Sequence, residues 1–330
     1  MPSLLSNPVN LGQLTDVTKI GLVNWHKGAE IGMQKALAAR SLYHEKRASE
    51  LNEEHSGFNE SGFSHVSGDD EAYALVSDTQ GDTITLSQVK RTVRRKITED
   101  LIEFNKYPRI GSLLRQTGSK LWRGYGLDLT HKFTFGASTS YTDRDGRVVT
   151  ITGGDGAAWV ANTHTLNNGD TYDNLITARL SESSLEDAMD LGNQMVDQNG
   201  EIVVPEFSAL VTGPHTNTRH VAMKLTSQNK QVGSDLNDLN PFGGKLRHVV
   251  LPYLPTTGAG AYDTTKDRYW FVMDESLAKG DEQLISSVRT MPAPERPTID
   301  PDTNTVQFKG KMRYDMGHLD SHFIVGSNAT

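Results

Sequence analysis

Three passages place side chains in an order that could do chemistry. Ser87-Gln88-Val89-Lys90 sets a hydroxyl three residues before an amine, the spacing of serine nucleophiles that work with a lysine. Asp143-Arg144-Asp145-Gly146 begins as a calcium loop begins, with carboxylates two residues apart ahead of a glycine. Lys90-Arg91-Thr92-Val93-Arg94-Arg95-Lys96 concentrates cations that could neutralise phosphates or carboxylates. The first lies in a β-like run and lacks its companion motifs, so it reads as chance. The second lacks the third ligand and the closing glutamate, so it reads as a hairpin turn. Nucleophile elbows, phosphate loops and H-E-x-x-H pairs do not occur, and the 11 histidines are scattered without ligand spacing. With no cysteine, thiolate metal sites, iron-sulfur clusters and cysteine nucleophiles are excluded. No catalytic, cofactor-binding or metal-binding residue is assigned, no cofactor is expected, and the chain reads as a non-enzyme.

The basic run is the passage that still needs a partner. It has no interleaved aromatic residues and belongs to a chain of net charge −8, which argues against a dedicated nucleic-acid binder. A protein partner fits better. Residues 45 to 82 carry ten acids against Lys46 and Arg47, residues 86 to 132 carry eleven Lys or Arg against four acids, and residues 181 to 206 carry seven acids and no Lys or Arg. Such asymmetry marks either solvated faces or surfaces that pair between copies.

The elements that must position these charges mix helix and strand. A helix is expected over about 16 to 52, where Ile20, Val23, Ile31, Leu37 and Leu42 recur near helical spacing. Next come β-like runs Ala72 to Val76 and Thr83 to Val93 around a turn at Asp78 to Asp82, forming a two-stranded excursion too marginal to stand alone in water. A helix capped by Thr98 follows, interrupted near Pro108 and Gly111. A glycine-rich β region spans about 133 to 165. Ser183 to Glu186 fits a capping box that opens a helix to about Gln198. Strands are expected at Ile202 to Val204, Ala209 to Thr212, Leu246 to Leu251 and Tyr269 to Met273, with a helix at Thr218 to Thr226. A link containing Pro292, Pro294, Pro297 and Pro301 leads to strands at Thr305 to Tyr314 and His322 to Val325. This order predicts an α+β fold.

At 330 residues the chain has enough length for about two domains, yet its apolar fraction is only 36%. Some burial is therefore expected against partners. No apolar run approaches a membrane span, and the N-terminus lacks a signal-peptide pattern, so the chain reads as soluble and made in a cytoplasm.

The order of segments resembles the major capsid proteins of tailed double-stranded DNA bacteriophages, of the Hong Kong 97-type fold, and within them the Mu-like major head subunits. Arg94-Arg95-Lys96-Ile97-Thr98-Glu99-Asp100 resembles their loop-to-helix junction, and Gly154-Asp155-Gly156-Ala157-Ala158-Trp159-Val160-Ala161-Asn162-Thr163-His164 a peripheral passage. Leu185-Glu186-Asp187-Ala188-Met189 with Gly200-Glu201-Ile202-Val203-Val204-Pro205 resembles the helix and strand leading into the axial domain. Val249-Val250-Leu251-Pro252-Tyr253-Leu254 with Tyr269-Trp270-Phe271-Val272-Met273-Asp274 resembles paired axial strands, and Met312-Arg313-Tyr314-Asp315-Met316-Gly317 a return strand. The resemblance spans about residues 60 to 326.

It implies an N-terminal arm (1–56), an extended β loop (57–97), a peripheral domain with a spine helix (98–200), an axial domain (201–290) and return strands (291–330). The implied work is self-assembly into hexamers and pentamers of an icosahedral head, formed in the host cytoplasm and enclosing DNA without sequence-specific binding or contact with a membrane. Portal, scaffolding and cement or decoration proteins are the implied partners. Scaffolding falls to a separate protein because no long scaffold-like segment precedes the arm. No lysine and asparagine pair for covalent cross-linking can be placed. Contacts between subunits are expected at Glu71, Tyr73, Leu75, Asp78, Asp82, Ile84, Lys90, Arg91, Arg94, Arg95 and Lys96, with charge reversal at Arg94 and Arg95 expected to misdirect assembly. An encapsulin-like nanocompartment is the alternative with the same fold, and a soluble hydrolase built on an unrecognised carboxylate pair is a distant third.

Overall fold

The computed structural model describes residues 11–59, 66–67, 69, 79–104, 106–166, 168–227, 240–280, 282–300, 302–303 and 305–329. The first helix, α1, spans Leu11–Arg40. It ends earlier than its apolar spacing predicts, because Arg40 turns back to pair with Glu45 at 2.6 Å and His44–Arg47 becomes strand β1. Its buried face also differs from the predicted one. Val23, Ile31 and Leu37 are exposed, whereas Val17, Trp25, Ala36 and Ala39 are buried along with Gly21, Gly28 and Gly32. The small residues let a second long helix approach closely, and this contact decides which face turns inward.

Strands β2 (Asn52–Asn59) and β3 (Thr79–Ser87) pair in antiparallel fashion. The expected strand Ala72 to Val76 lies outside the described residues. The turn expected from Asp78 to Asp82 is replaced by strand from Thr79 onward, since Thr79 and Gln80 pair with Asn59 and Phe58 across a bulge. The run from Thr83 to Val93 is two strands. It breaks at Gln88, whose buried side chain donates to Ser287 Oγ at 3.1 Å, and β4 (Val89–Ile97) then takes a different partner.

After Thr98, whose side chain makes no capping bond, α2 (Glu99–Glu103) is a single short turn. The long α3 (Tyr107–Thr134) follows, with Pro108 in its first turn, where no helical N–H partner is lost. Pro108 therefore starts the helix and does not kink it. The hairpin β5 (Ser140–Thr142) and β6 (Val148–Thr150) closes on the predicted turn, with Gly146 at φ 81°. Short pieces β7 (His164–Thr165), β8 (Thr171–Tyr172) and β9 (Leu175–Ile176) lead to α4 (Glu182–Asn193). Its capping box is two residues earlier than predicted: Ser181 and Ser184 exchange side-chain and backbone bonds at 3.1 and 2.8 Å. Residues 202 to 204 form only a bridge from Ile202 to Val196.

Strand β10 (Ala209–Thr212), helix α5 (Thr216–Ser227), strands β11 (Arg247–Val250) and β12 (Trp270–Met273), and the short helix α6 (Glu275–Gly280) follow. The proline-rich link is partly strand, because β13 runs from Leu284 to Pro294. Pro292 and Pro294 are tolerated there because β1 pairs only with Ile285 to Val288, leaving the far end of β13 an edge with shifted register. Strands β14 (Thr298–Asp300), β15 (Thr305–His318) and β16 (Ile324–Ser327) complete the chain.

Among the described residues two five-stranded sheets result, giving an α+β fold. In the first, β15 is flanked on one side by β13 and β14 and on the other by β4, with β1 beyond β13. The second has the order β11-β10-β12-β16-β9. Helices α1 and α3 cover the first sheet, with Trp25, Leu114, Phe308 and Met312 in one core. Helices α4 and α5 cover the second through Leu185, Ala188, Ala222 and Trp270. Phe133 at the end of α3 reaches toward the second sheet, its ring 5.4 Å from Phe271 and 4.8 Å from Trp159. Among the described residues no helix is long and apolar enough to cross a membrane.

Candidate functional site

Strand alternation divides the basic run in two. Along β4, Lys90, Thr92, Arg94 and Lys96 are exposed, while Arg91, Val93 and Arg95 turn toward the helices. In the antiparallel register Lys90 stands opposite Arg313, Thr92 opposite Lys311 and Arg94 opposite Lys309. Opposite residues share a face, so six cations from β4 and β15 form one outward strip. Among the described residues Glu295 pairs with Lys311 at 2.9 Å and Asp300 with Lys96 at 3.5 Å, and the charge of Glu295 also acts on Lys90 and Lys309.

On the inner face Arg91 enters a network of carboxylates from the same chain. Its guanidinium contacts Asp143 at 2.7 Å and Asp128 at 3.3 Å, and also pairs with Asp145. Arg144 meets Asp128 at 2.7 Å, and the Tyr314 hydroxyl donates to the same carboxylate. Burial works to raise the Asp143 pKa, but the bonds from Arg91 and from the Arg147 and Asp145 N–H groups outweigh it, leaving the pKa below the ordinary value. Burial, then the Asp128 charge, drives the Tyr314 phenol well above its usual value. The Asp143 turn is thus an anchor for Arg91. Arg91 is not available to a partner, and Arg95, beside Phe308 in the register, also faces inward.

Asp82 lies at a second junction, where the base of the β2–β3 ribbon meets the body. A side chain on Gly154 would sit 2.1 Å from Asp82 Cβ, so the Asp82 side chain rests on the bare backbone of Gly154. Nearby, His164 bonds Asp155 at 2.6 Å, His322 bonds Asp320 at 2.5 Å, and Tyr172 stacks against both rings. Burial raises the Asp82 pKa, as do the Asp320 and Asp155 carboxylates, against a smaller opposing effect of His322. Burial disfavours the charged His322, but Asp320 more than compensates and its pKa is raised. Burial likewise opposes Asp320 ionisation, and His322 holds its pKa below the ordinary value.

A raised carboxyl pKa adds stability that is present at low pH and lost as pH rises through it. A raised histidine pKa acts in the same direction, and the depressed Asp320 pKa withdraws its contribution only in stronger acid. Mild acidification should therefore tighten the ribbon base. Amide exchange of β2 and β3, corrected for its intrinsic rate, is expected to slow between about pH 7.5 and about pH 5.5. Asp82→Asn should slow it already at neutral pH, and faster exchange in that variant would contradict the sign.

Of the predicted contact residues, Glu71, Tyr73, Leu75 and Asp78 lie outside the described residues. Ile84 packs beside the small cluster of Leu86, Ile285 and Leu319, so within this chain it seats the ribbon base on its own body. Lys90, Arg94 and Lys96 come together outside, and Arg91 and Arg95 are separated from them. Sequence reasoning missed Lys309, Lys311 and Arg313, although their alternation inside a predicted strand was a readable period-2 signal. Only the register brings them to β4. Among the described residues no group of three His, Asp or Glu side chains is arranged to hold a metal ion.

No protein-family model matches the chain, and no curated protein matches it in sequence. Solved structures do match. The capsid structure of Cyanophage P-SCSP1u is similar with TM-score 0.53 at 14% identity, over 88% of this chain and 86% of that one. The chain has the fold of tailed-phage capsid proteins. The mature capsid of bacteriophage PhiM1 gives TM-score 0.52 at 12% identity, over 87% and 85% of the two chains. A virus-like particle from Pyrococcus furiosus gives TM-score 0.52 at 8% identity, over 92% and 98%. The shared fold is thus reached with little sequence in common.

Proposed function

We propose that this chain is the major subunit of a tailed-phage head, assembling through hexamers and pentamers into an icosahedral shell around double-stranded DNA. The observation that carries the proposal is likeness to phage capsid chains along nearly the whole of both partners. The work is structural and needs no catalytic centre. The chain divides, on this reading, into an arm (1–56), an extended loop (57–97), a peripheral domain (98–200), an axial domain (201–290) and return strands (291–330). Assembly takes place in the host cytoplasm, with portal and scaffolding proteins and with cement or decoration proteins as further partners. Lys90, Arg94 and Lys96 meet neighbouring subunits, while Arg91 and Arg95 act by holding β4 in place. Glu71, Tyr73, Leu75 and Asp78 would extend the contact along the ribbon.

Sedimentation of the expressed chain tests this reading: material sedimenting as closed particles of many copies is expected, and a uniform monomer at every concentration would overturn it. The Pyrococcus particle supports a second reading, an encapsulin-like compartment. Particle contents separate the two, since nuclease-protected DNA favours a head and a packaged enzyme favours a compartment.

A further inference from the structure

The outward strip on β4 and β15 sets like charges directly opposite one another, Lys90 against Arg313 and Arg94 against Lys309. Such pairs destabilise a sheet, and Glu295, the acid that stands near Lys90, Lys309 and Lys311, offsets only part of that charge. Several acids of the N-terminal half are already occupied in this chain. Glu45 pairs with Arg40, Glu53 accepts bonds from Ser287 and the Ser49 N–H, and Asp82 is half-buried at the ribbon base. Besides the acids of the short α2, which follow the strip in the same chain, an anionic surface lies on α4, where Glu186, Asp187 and Asp190 are exposed and unpaired among the described residues. Glu186 and Asp190 are one helical turn apart on one face, with Asp187 beside them. Asp187 and Asp190 also line, with Asp173, a hollow of about 780 Å³ that long cationic side chains can enter.

The strip from Lys90 to Lys96 runs about 20 Å along the strand, and the acids from Glu186 to Asp190 cover about 6 Å of α4, so the helix engages part of the strip. A phosphate backbone fits less well, because Glu295 and Asp300 border the strip and would repel a continuous line of negative charge, whereas a helix offers a few acids at fixed spacing.

We infer that the β4–β15 strip of one subunit docks on the acidic face of α4 of a second copy of this chain. Because the two surfaces are different patches, the contact is heterologous and propagates from copy to copy. It rests on the shell reading and names the neighbour's element that meets the strip. The docking is electrostatic, so salt should weaken it.

A charge swap tests it. The face variant carries Lys90→Glu, Arg94→Glu and Lys309→Glu, and the helix variant carries Glu186→Lys, Asp187→Lys and Asp190→Lys. Each alone is expected to lower the assembled fraction by about tenfold or more, and the chain carrying all six substitutions to recover assembly. Amide exchange of α3 serves as the folding control for every variant. Folded single-face and helix variants with no recovery in the combined chain would overturn the docking, as would a helix variant that assembles normally. Normal assembly of the face variant with loss of bound DNA would assign the strip to phosphate and overturn it too. Normal shells from the unmodified chain without rescue would sink the docking alone. Small oligomers in place of shells would count against the shell reading, while the swap, read on those oligomers, would still decide the docking.

Discussion

Gly118→Leu is expected to cost the folded subunit more than about 3 kcal/mol, with Gly118→Ala costing about 1–3 kcal/mol. A Cβ at Gly118 would lie 2.2 Å from the Trp25 carbonyl oxygen, and one at Gly28 would lie 1.9 Å from the Arg115 carbonyl oxygen. Both obstacles are helix backbone, which no side-chain rotation can move. Helices α1 and α3 would have to separate along their length, and the Trp25 ring, which fills the space left by Gly310, would lose its seat. Set against a usual total of about 5–15 kcal/mol, the leucine variant should lose most soluble protein. Leu37→Ala is the informative control. Leu37 is 57% exposed, so this change should stay within about 0.5 kcal/mol of the parent subunit. Denaturant unfolding of the dissociated subunit measures all of them, and a tolerated Gly118→Leu would refute the close packing.

The second large effect concerns Asp128. Asp128→Ala should cost about 3–5 kcal/mol, because it leaves two guanidinium groups and a phenol at a buried site without their shared acceptor. Asp128 joins Arg91 of β4, Arg144 of the β5–β6 hairpin and Tyr314 of β15 to α3, so its loss loosens four elements together. The expected readout is lower unfolding stability together with faster exchange along β4. Arg94→Ala, one face away, should leave both unchanged. If the two variants behaved alike, the division of the basic run into inner and outer rows would be wrong.

That division shows what was legible in the sequence. The charge asymmetry, the turn at Asp143 and the mixed order of helices and strands all follow from local patterns, and they led to the α+β fold. The positions of Arg91 and Arg95 did not. Seven residues rich in cations look uniform until strand alternation sends every second one inward, and only the neighbouring β15 fixes which. The same limit applies to α1. Val23, Ile31 and Leu37 form the better apolar stripe, but the glycine and alanine stripe wins because a close backbone approach to α3 buries more through Trp25, Val17 and Ala39. Pro292 and Pro294 look like a linker, and their place in β13 depends on where β1 happens to stop pairing. In each case a contact distant in sequence overrode a local preference. Lys309 and Arg313 entered the site in the same way, from some 200 residues downstream.

Electron microscopy of the purified full-length chain tests the central claim most directly. The account predicts closed icosahedral shells in which hexamers and pentamers of one protein form the wall. Monomers or small symmetric oligomers, persisting from low to high protein concentration with no curved or closed assemblies, would contradict it.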